Sequence, residues 1–199
     1  MPVPLDEITA CRQSHARLHQ TLAGLTDAAA SAPSLLPEWT VAHVVAHLAL
    51  NGDSVVRRLE GAASGRVIEQ YEGGAAARDA AIQAGAEADA SHLVADLYRA
   101  DAAVEAVFAT LPESAWDRPV LAGGGREVPA AHLAFARWRE VETHHVDLGL
   151  GYGAAQWPQP LVDRWLPALL EGLSHRADQR TLMAWALGRG SAPALSPWG

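Results

Sequence analysis

Several residue types are scarce or missing in this sequence, and each absence excludes a class of function. All fifteen basic residues are Arg and none is Lys, so chemistry that needs a catalytic lysine is excluded. Cys11 is the only cysteine, which excludes an internal disulfide and a cysteine-rich zinc module and fits a reducing compartment. We expect its thiol to be buried and inert.

Basic runs and long apolar runs are missing as well. The 199 residues carry a formal net charge of −8, which argues against binding nucleic acid through its phosphates. The longest apolar stretch, TVAHVVAHLAL, is too short to span a membrane and contains two histidines. The start, MPVPLDEITACRQSH, is polar and lacks a secretory signal pattern. We therefore expect a cytoplasmic protein, monomeric or homodimeric, that binds neither nucleic acid nor membrane.

The hydrophobic pattern predicts an all-α protein. Apolar residues recur at three- and four-residue steps in several segments, and no stretch alternates as a strand should. Asp6 and Thr40 are predicted helix caps. The predicted helices cover residues 5–29, 40–61, 89–111 and 129–148, with shorter ones over 78–86, 158–176 and 179–188. This pattern predicts an antiparallel four-helix bundle over residues 1–152 and a short C-terminal helical extension, packed on the bundle, over residues 153–199.

The segment REVETHHVDLGLGY, from Arg139 to Tyr152, concentrates polar side chains that can bind metal on one predicted helix. Glu140 and His144 are four residues apart and share a helix face beside an apolar stripe. The next residue, His145, points about 100° away from His144. Glu142 lies far round the helix from Glu140, and we expect it to be a solvated acid. Glu140 and His144 form either a structural pair or part of a metal site.

The second predicted helix offers a further ligand. WTVAHVVAHLALNGD places His43 and His47 four residues apart, with Asn51 one turn further on. His47 lies deeper in the apolar run, so we favour it as the ligand and expect His43 to be a pocket residue. Two imidazoles and one carboxylate are a ligand set that zinc accepts, with the fourth position open to water or substrate. The remaining histidines are predicted at the surface or rim, namely His15, His19, His92, His132 and His175.

Three segments carry a resemblance to a known family. LLPEWTVAHVVAHLALN, RWREVETHHVDLGLGY and TLMAWALGRG resemble segments of the mycothiol-dependent maleylpyruvate isomerase family, which belongs to the DinB-like four-helix metalloenzymes. The resemblance implies a DinB-like bundle that holds Zn²⁺, or another divalent metal, through His47, Glu140 and His144. It also implies that mycothiol, a low-molecular-weight thiol, is the cosubstrate.

The resemblance implies an enzyme that joins this thiol to a small electrophile. A cis–trans isomerase of the maleylpyruvate type adds the thiolate to a double bond and then eliminates it, whereas a mycothiol S-transferase releases the adduct as product. A non-catalytic metal- or small-molecule-binding bundle is a further alternative. So is a hydrolase in which the metal activates water, which would need Glu142 or Asp147 as a general base.

Residues that bind the substrate or the thiol are predicted from the chemistry of carboxylates. Arg binds a carboxylate through two parallel hydrogen bonds, so Arg78, after a glycine-rich stretch, and Arg189, in LGRG, are the candidate partners. Asn51 and His43, next to His47 on its helix, are the other candidates for contact with substrate or thiol.

Overall fold

The structure is a computed structural model that describes residues 2–196 of the chain. The chain divides into two units, Met1–Ala154 and Ala155–Gly199. The helices of the first unit are α1 (Leu5–Leu22), α2 (Asp27–Ala30), α3 (Val41–Ala63), α4 (Gly74–Ala86), α5 (Ala90–Thr110) and α6 (His132–Asp147). The second unit contains α7 (Gln159–Arg176) and α8 (Gln179–Ala186).

Four long helices of the first unit form the predicted bundle, which is confirmed. Helix α1 packs against α6 and α5, and α3 packs against α6 and α5, so the order around the bundle is α1, α6, α3, α5. The apolar positions seen in the sequence line its core, among them Leu18, Leu22, Val44, Val45, Leu48, Leu93, Leu97, Val141 and Leu148. Burial of each such side chain stabilises the fold by roughly 1.5–3 kcal/mol.

Helix boundaries differ from the expectation at α1. The helix ends at Leu22 because Ala23 is extended and Gly24 has a φ of +79°, which a glycine adopts without strain. A separate short helix, α2, then starts after Thr26, whose side chain caps it by accepting from the Ala29 amide. The predicted cap Asp6 lies inside the first turn of α1 and does not cap the helix, since the capping position is Pro4.

Two short strands were not expected. Strands β1 (Pro119–Leu121) and β2 (Glu127–Pro129) pair in antiparallel register, with Val120 opposite Val128. Each has three residues, too few to show a period of two in the sequence. Because β2 runs to Pro129, α6 begins at His132, three residues later than predicted.

The start of α3 matches the prediction, and it gives His43 a structural role. Thr40 is the N-cap residue, and it forms a capping box with His43, whose Nδ1 lies 3.2 Å from the Thr40 amide nitrogen. This pair satisfies backbone donors at the helix start and fixes the direction in which α3 enters the bundle. No helix within residues 2–196 is long and apolar enough to cross a bilayer.

Gly61, near the end of α3, lets the chain that leads to α4 pack directly on the helix. A Cβ atom at this position would lie 2.8 Å from Ile68 Cδ1 and 2.9 Å from the Arg66 carbonyl oxygen. Alanine would otherwise favour an exposed helix by about 1 kcal/mol relative to glycine. The clash with the Arg66 carbonyl oxygen therefore decides whether alanine at position 61 stabilises or destabilises the protein.

We predict that Gly61→Ala lowers the free energy of unfolding by about 1–3 kcal/mol, because overpacking must displace the Arg66–Ile68 segment. Urea unfolding followed by circular dichroism measures the change. The control is Gly172→Ala in α7, where a Cβ atom would meet nothing within 4 Å. A Gly61→Ala protein as stable as the unmodified one would show that the segment is not held by this contact.

Candidate metal centre

His47, Glu140 and His144 meet between α3 and α6. One ligand atom from each residue lies within 4.8 Å of the other two. His47 Nε2 is 3.2 Å from Glu140 Oε2, and His144 Nε2 is 3.5 Å from the same oxygen. Within residues 2–196 this is the one group of three or more His, Cys, Asp and Glu side chains with such spacing.

The helices position these side chains by simple periodicity. Glu140 and His144 are one turn apart on α6, and His47 projects from the buried side of α3, where it is 3% exposed. The rings of His47 and His144 meet edge to face, with centroids 4.6 Å apart. Trp39 also packs against His47, with ring centroids 5.8 Å apart, and limits the freedom of that ring.

The second nitrogen of each imidazole also has a partner. His144 Nδ1 lies 2.9 Å from Asp147 Oδ2, so the carboxylate holds the ring with Nε2 facing Glu140. Histidines that bind metals commonly have such a carboxylate behind them. On the other ring, Arg78 Nη2, from α4, lies 3.4 Å from His47 Nδ1 and donates to it.

Three titratable groups lie close together in this partly buried site, so each affects the pKa of the others. Burial opposes ionisation of Glu140, but hydrogen bonds from His144 and His47 outweigh it and hold the pKa of the carboxyl well below its usual range. Burial also opposes protonation of His144, yet Asp147 and Glu140 raise the pKa of its ring to about 9. For His47, burial prevails and lowers the pKa below its usual value.

The donor set fits a divalent cation. Two imidazole nitrogens and one carboxylate oxygen converge on one point, and zinc sites with three protein ligands and an open position use such sets. The His144 ring already points the required nitrogen inward. For His47 to offer Nε2, its proton must sit on Nδ1, which then faces the Arg78 guanidinium, another donor.

The sequence matches one protein-family model over most of its length. The model described as the mycothiol maleylpyruvate isomerase N-terminal domain matches residues 11–149. The chain belongs to this family. No curated protein sequence matches it at a significant level.

Solved structures agree with the family assignment. The crystal structure of the mycothiol-dependent maleylpyruvate isomerase is 27% identical, with a TM-score of 0.77 over 82% of this chain and 67% of that chain. A histidine-to-alanine mutant of that isomerase matches with 26% identity and the same TM-score and coverage. YfiT from Bacillus subtilis, described as "a probable metal-dependent hydrolase with an unusual four-helix bundle topology", is 20% identical, with a TM-score of 0.57 over 81% of this chain and 86% of that chain. At this identity the YfiT match shows the fold alone.

The other residues singled out in the sequence lie at different distances from the cluster. Arg78 reaches His47, as described. His43 takes part in the capping box and its Nε2 lies 3.1 Å from Gln83 Oε1, outside the cluster. Asn51 is 4% exposed and accepts a hydrogen bond from Arg137. Arg189 belongs to the second unit, where its Nη1 donates to the Leu187 carbonyl.

Two expectations about polar residues were wrong. Glu142 is not a solvated acid but is fully buried, where it accepts from Ser14, Arg17 and Tyr152. His15 is not at the surface but is 1% exposed, with its Nε2 3.1 Å from Asp101. Both residues face neighbouring helices rather than solvent, because a helix inside a bundle has more than one buried side. Cys11 is buried as expected, and burial raises the pKa of its thiol.

Two residues near the cluster were missed. Asp147 was considered only as a general base, although it follows His144 by three residues and therefore shares its helix face. Arg137 precedes Glu140 by three residues and lies on the same side of α6. Their three-residue spacing from His144 and Glu140 indicated that both lie on the same helix face as the ligands, but only the fold shows which residues they contact.

We predict that Arg78→Ala raises the affinity for Zn²⁺ by about threefold to tenfold, since it removes a cation and a competing donor beside His47. The dissociation constant is measured by competition with a chelator. Arg66→Ala serves as the control, because it removes the same charge from an exposed side chain that contacts Ser64. Weaker binding in Arg78→Ala would show instead that Arg78 helps to orient the ligand.

Metal binding is predicted to release about one proton at neutral pH, because His144 is protonated below its pKa of about 9 and must lose the Nε2 proton to coordinate. The affinity should therefore rise about tenfold per pH unit up to about pH 9 and flatten above it. Calorimetry in two buffers with different ionisation enthalpies counts the proton. Asp147→Asn should reduce the release, since it removes one group that raises the pKa of His144. Affinity that is constant between about pH 6 and 8 would contradict the assignment of His144.

Proposed function

We propose that this protein is a metal-dependent enzyme that uses a low-molecular-weight thiol, mycothiol, to isomerise a small activated alkene of the maleylpyruvate type. The observation that carries the proposal is the cluster of His47, Glu140 and His144, with ligand atoms within 4.8 Å of one another. Membership of the mycothiol maleylpyruvate isomerase N-terminal domain family supports the same chemistry. We infer Zn²⁺ as the metal from the ligand set.

The proposed centre activates a thiol. A divalent cation held by two neutral imidazoles and one carboxylate keeps a net positive charge and lowers the pKa of a coordinating thiol, so that the thiol is deprotonated at neutral pH. His47 and His144 supply neutral nitrogens, and Asp147 fixes the tautomer of His144 that this requires. Trp39 and the bundle core shield one side of His47 from water.

The isomerisation needs only this nucleophile and a double bond conjugated to a carbonyl group. The thiolate sulfur adds to one alkene carbon, and the π electrons move into the carbonyl group. The former double bond is then a single bond and rotates. Return of the electrons expels the thiolate and gives the trans alkene, so no atom is gained or lost and the thiol is regenerated.

Arginines around the cluster suit an anionic substrate. Arg78 lies beside His47 with its guanidinium 5.8 Å from the centre of the Tyr71 ring, and it forms an ion pair with the exposed Asp79. A substrate carboxylate can replace that partner, because Arg binds carboxylates bidentately. Burial lowers the pKa of a second cation, Arg58, to about 10, and the charges of Tyr71 and Glu140 partly oppose that effect.

Competing activities share parts of this chemistry. A mycothiol S-transferase would use the same thiolate and differ only in releasing the adduct. A hydrolase would need a free general base, but Glu142 is buried against Arg17 and Tyr152, and Asp147 is bound to His144. A role of Arg189, His43 or Asn51 in binding thiol or substrate stays a prediction, as do the cytoplasmic location and the monomeric or homodimeric state.

We predict that mycothiol binds to the Zn²⁺-loaded protein with release of a proton and that His144→Ala abolishes this binding, because the variant loses a ligand of the metal. Isothermal titration and metal analysis of the same samples measure both effects. His92→Ala is the matched control, since this histidine is exposed and pairs with Asp89. Stoichiometric metal without thiol binding would contradict the proposal and leave a binding bundle.

The fate of the thiol distinguishes the two enzyme classes. With maleylpyruvate, an isomerase yields the trans product while the concentration of free mycothiol stays constant. An S-transferase consumes one thiol for each electrophile. Monitoring the thiol and the alkene in the same reaction therefore assigns the reaction type.

A further inference from the structure

A buried cation, Arg137, lies one helical turn before Glu140 on α6. Its side chain is 0% exposed. Nη1 donates to the Leu48 carbonyl and to Asn51 Oδ1, each at 2.8 Å, and Nη2 donates to Asp101 Oδ1 at 2.6 Å. The guanidinium thus joins α6 to α3 and α5 in the layer next to the candidate ligands.

The acceptors on α3 flank the ligand of that helix. Leu48 directly follows His47, and Asn51 lies one turn further along. Hydrogen bonds to these groups fix how far α3 can slide along α6, which apolar packing alone does not. One turn away, the same register brings His47 Nε2 to 3.2 Å from Glu140 Oε2.

The fold makes room for the guanidinium at Gly52. A Cβ atom there would lie 3.4 Å from Arg137 Nη2 and 3.2 Å from Ala100 Cβ. The missing side chain therefore allows both the approach of Arg137 and the close packing of α3 on α5. A bulkier residue would need one of these contacts to give way.

The carboxylate partner of Arg137 is held in place from the opposite side. Asp101 is 0% exposed, and its Oδ1 and Oδ2 lie 3.1 Å from His15 Nε2 and 2.8 Å from His19 Nε2. Burial disfavours the charge of Asp101, but Arg137, His19 and His15 together lower the pKa of this carboxyl. Asp101 is thus a fixed anion that anchors Arg137 to α5 and, through the histidines, to α1.

We propose that Arg137 is a positioning residue of the metal centre, which sets the register of α3 against α6 and hence the separation of His47 from Glu140. The inference rests on the proposed metal site and adds to it a residue that touches neither metal nor substrate. Burying a charge is costly, and an apolar side chain would pack at least as well. We therefore expect Arg137 to contribute to the position of the ligands rather than to the stability of the fold.

The test compares Arg137→Met with a control on the same helix. Glu142→Gln disturbs the second buried network of α6, in which Glu142 accepts from Ser14 and Arg17 of α1. For each folded variant, chelator competition gives the dissociation constant for Zn²⁺. The visible spectrum of the Co²⁺-loaded protein reports the ligand geometry.

We expect Arg137→Met to weaken Zn²⁺ binding by about tenfold or more and to change the Co²⁺ spectrum. Arg137→Lys should recover part of both, because an ammonium group can still donate to Leu48 and Asn51. Glu142→Gln should lower the melting temperature while affinity and spectrum stay unchanged. If Arg137→Met does not fold, Asn51→Ala takes its place in the test. This variant should also weaken Zn²⁺ binding and change the Co²⁺ spectrum, but by a smaller amount.

Three results would overturn the inference. The first is a folded Arg137→Met protein whose Zn²⁺ affinity and Co²⁺ spectrum equal those of the unmodified protein. If Arg137→Met does not fold, the same result for Asn51→Ala counts instead. Either result would remove only the positioning role. An equal loss in Glu142→Gln would do the same, since it would reveal a general effect of stability. Failure of the unmodified protein to bind any divalent cation would overturn the proposed function together with this inference.

Discussion

The half-buried carboxylate of Glu140 is the constraint on which the centre of this protein depends. A carboxylate at this depth needs compensating charge, and the nearest groups are the imidazoles of His47 and His144. Without a cation, a proton on His144 supplies that charge, held there by Asp147 as well. A divalent cation would replace this proton and satisfy all three ligands together, as the proposed function requires.

Helix α6 carries two buried polar networks on different sides, and the order of the bundle explains why. It lies between α3 and α1. The side toward α3 holds Arg137 and Glu140, whereas the side toward α1 holds Glu142 and His145. The Nε2 atom of His145 lies 2.7 Å from the Thr21 hydroxyl oxygen. Burial lowers the pKa of His145 to about 4, so the ring is neutral and can stack on Tyr152. Both sides thus join α6 to its neighbours, but only the side toward α3 carries the candidate metal ligands.

The sequence predicts those parts of the site that depend on local geometry. Glu140 and His144 share a face because any helix places residues four apart together, and His47 is buried because it lies within an apolar run. The burial of Glu142 and His15 was missed, since helical periodicity gives the direction of a side chain from its own helix but not which neighbouring helix stands there. Partners remote in sequence cannot be read from spacing: Arg137 reaches Leu48 and Asp101 only after three helices have packed.

Local charge, rather than net charge, decides what the site can bind. The chain as a whole carries −8, which disfavours nucleic acid. Around Glu140, however, several cations offset the acids Asp147 and Asp79. They are Arg78 beside His47, the buried Arg58, and Arg139, and the charge of Glu140 opposes the lowering of the pKa of the latter two by burial. Long-range repulsion from the acidic surface is screened within about 10 Å at ordinary salt, whereas these short contacts are screened far less. A small anion that reaches the site can therefore pair with a nearby Arg, as the carboxylate-bearing alkene of the proposed function would require.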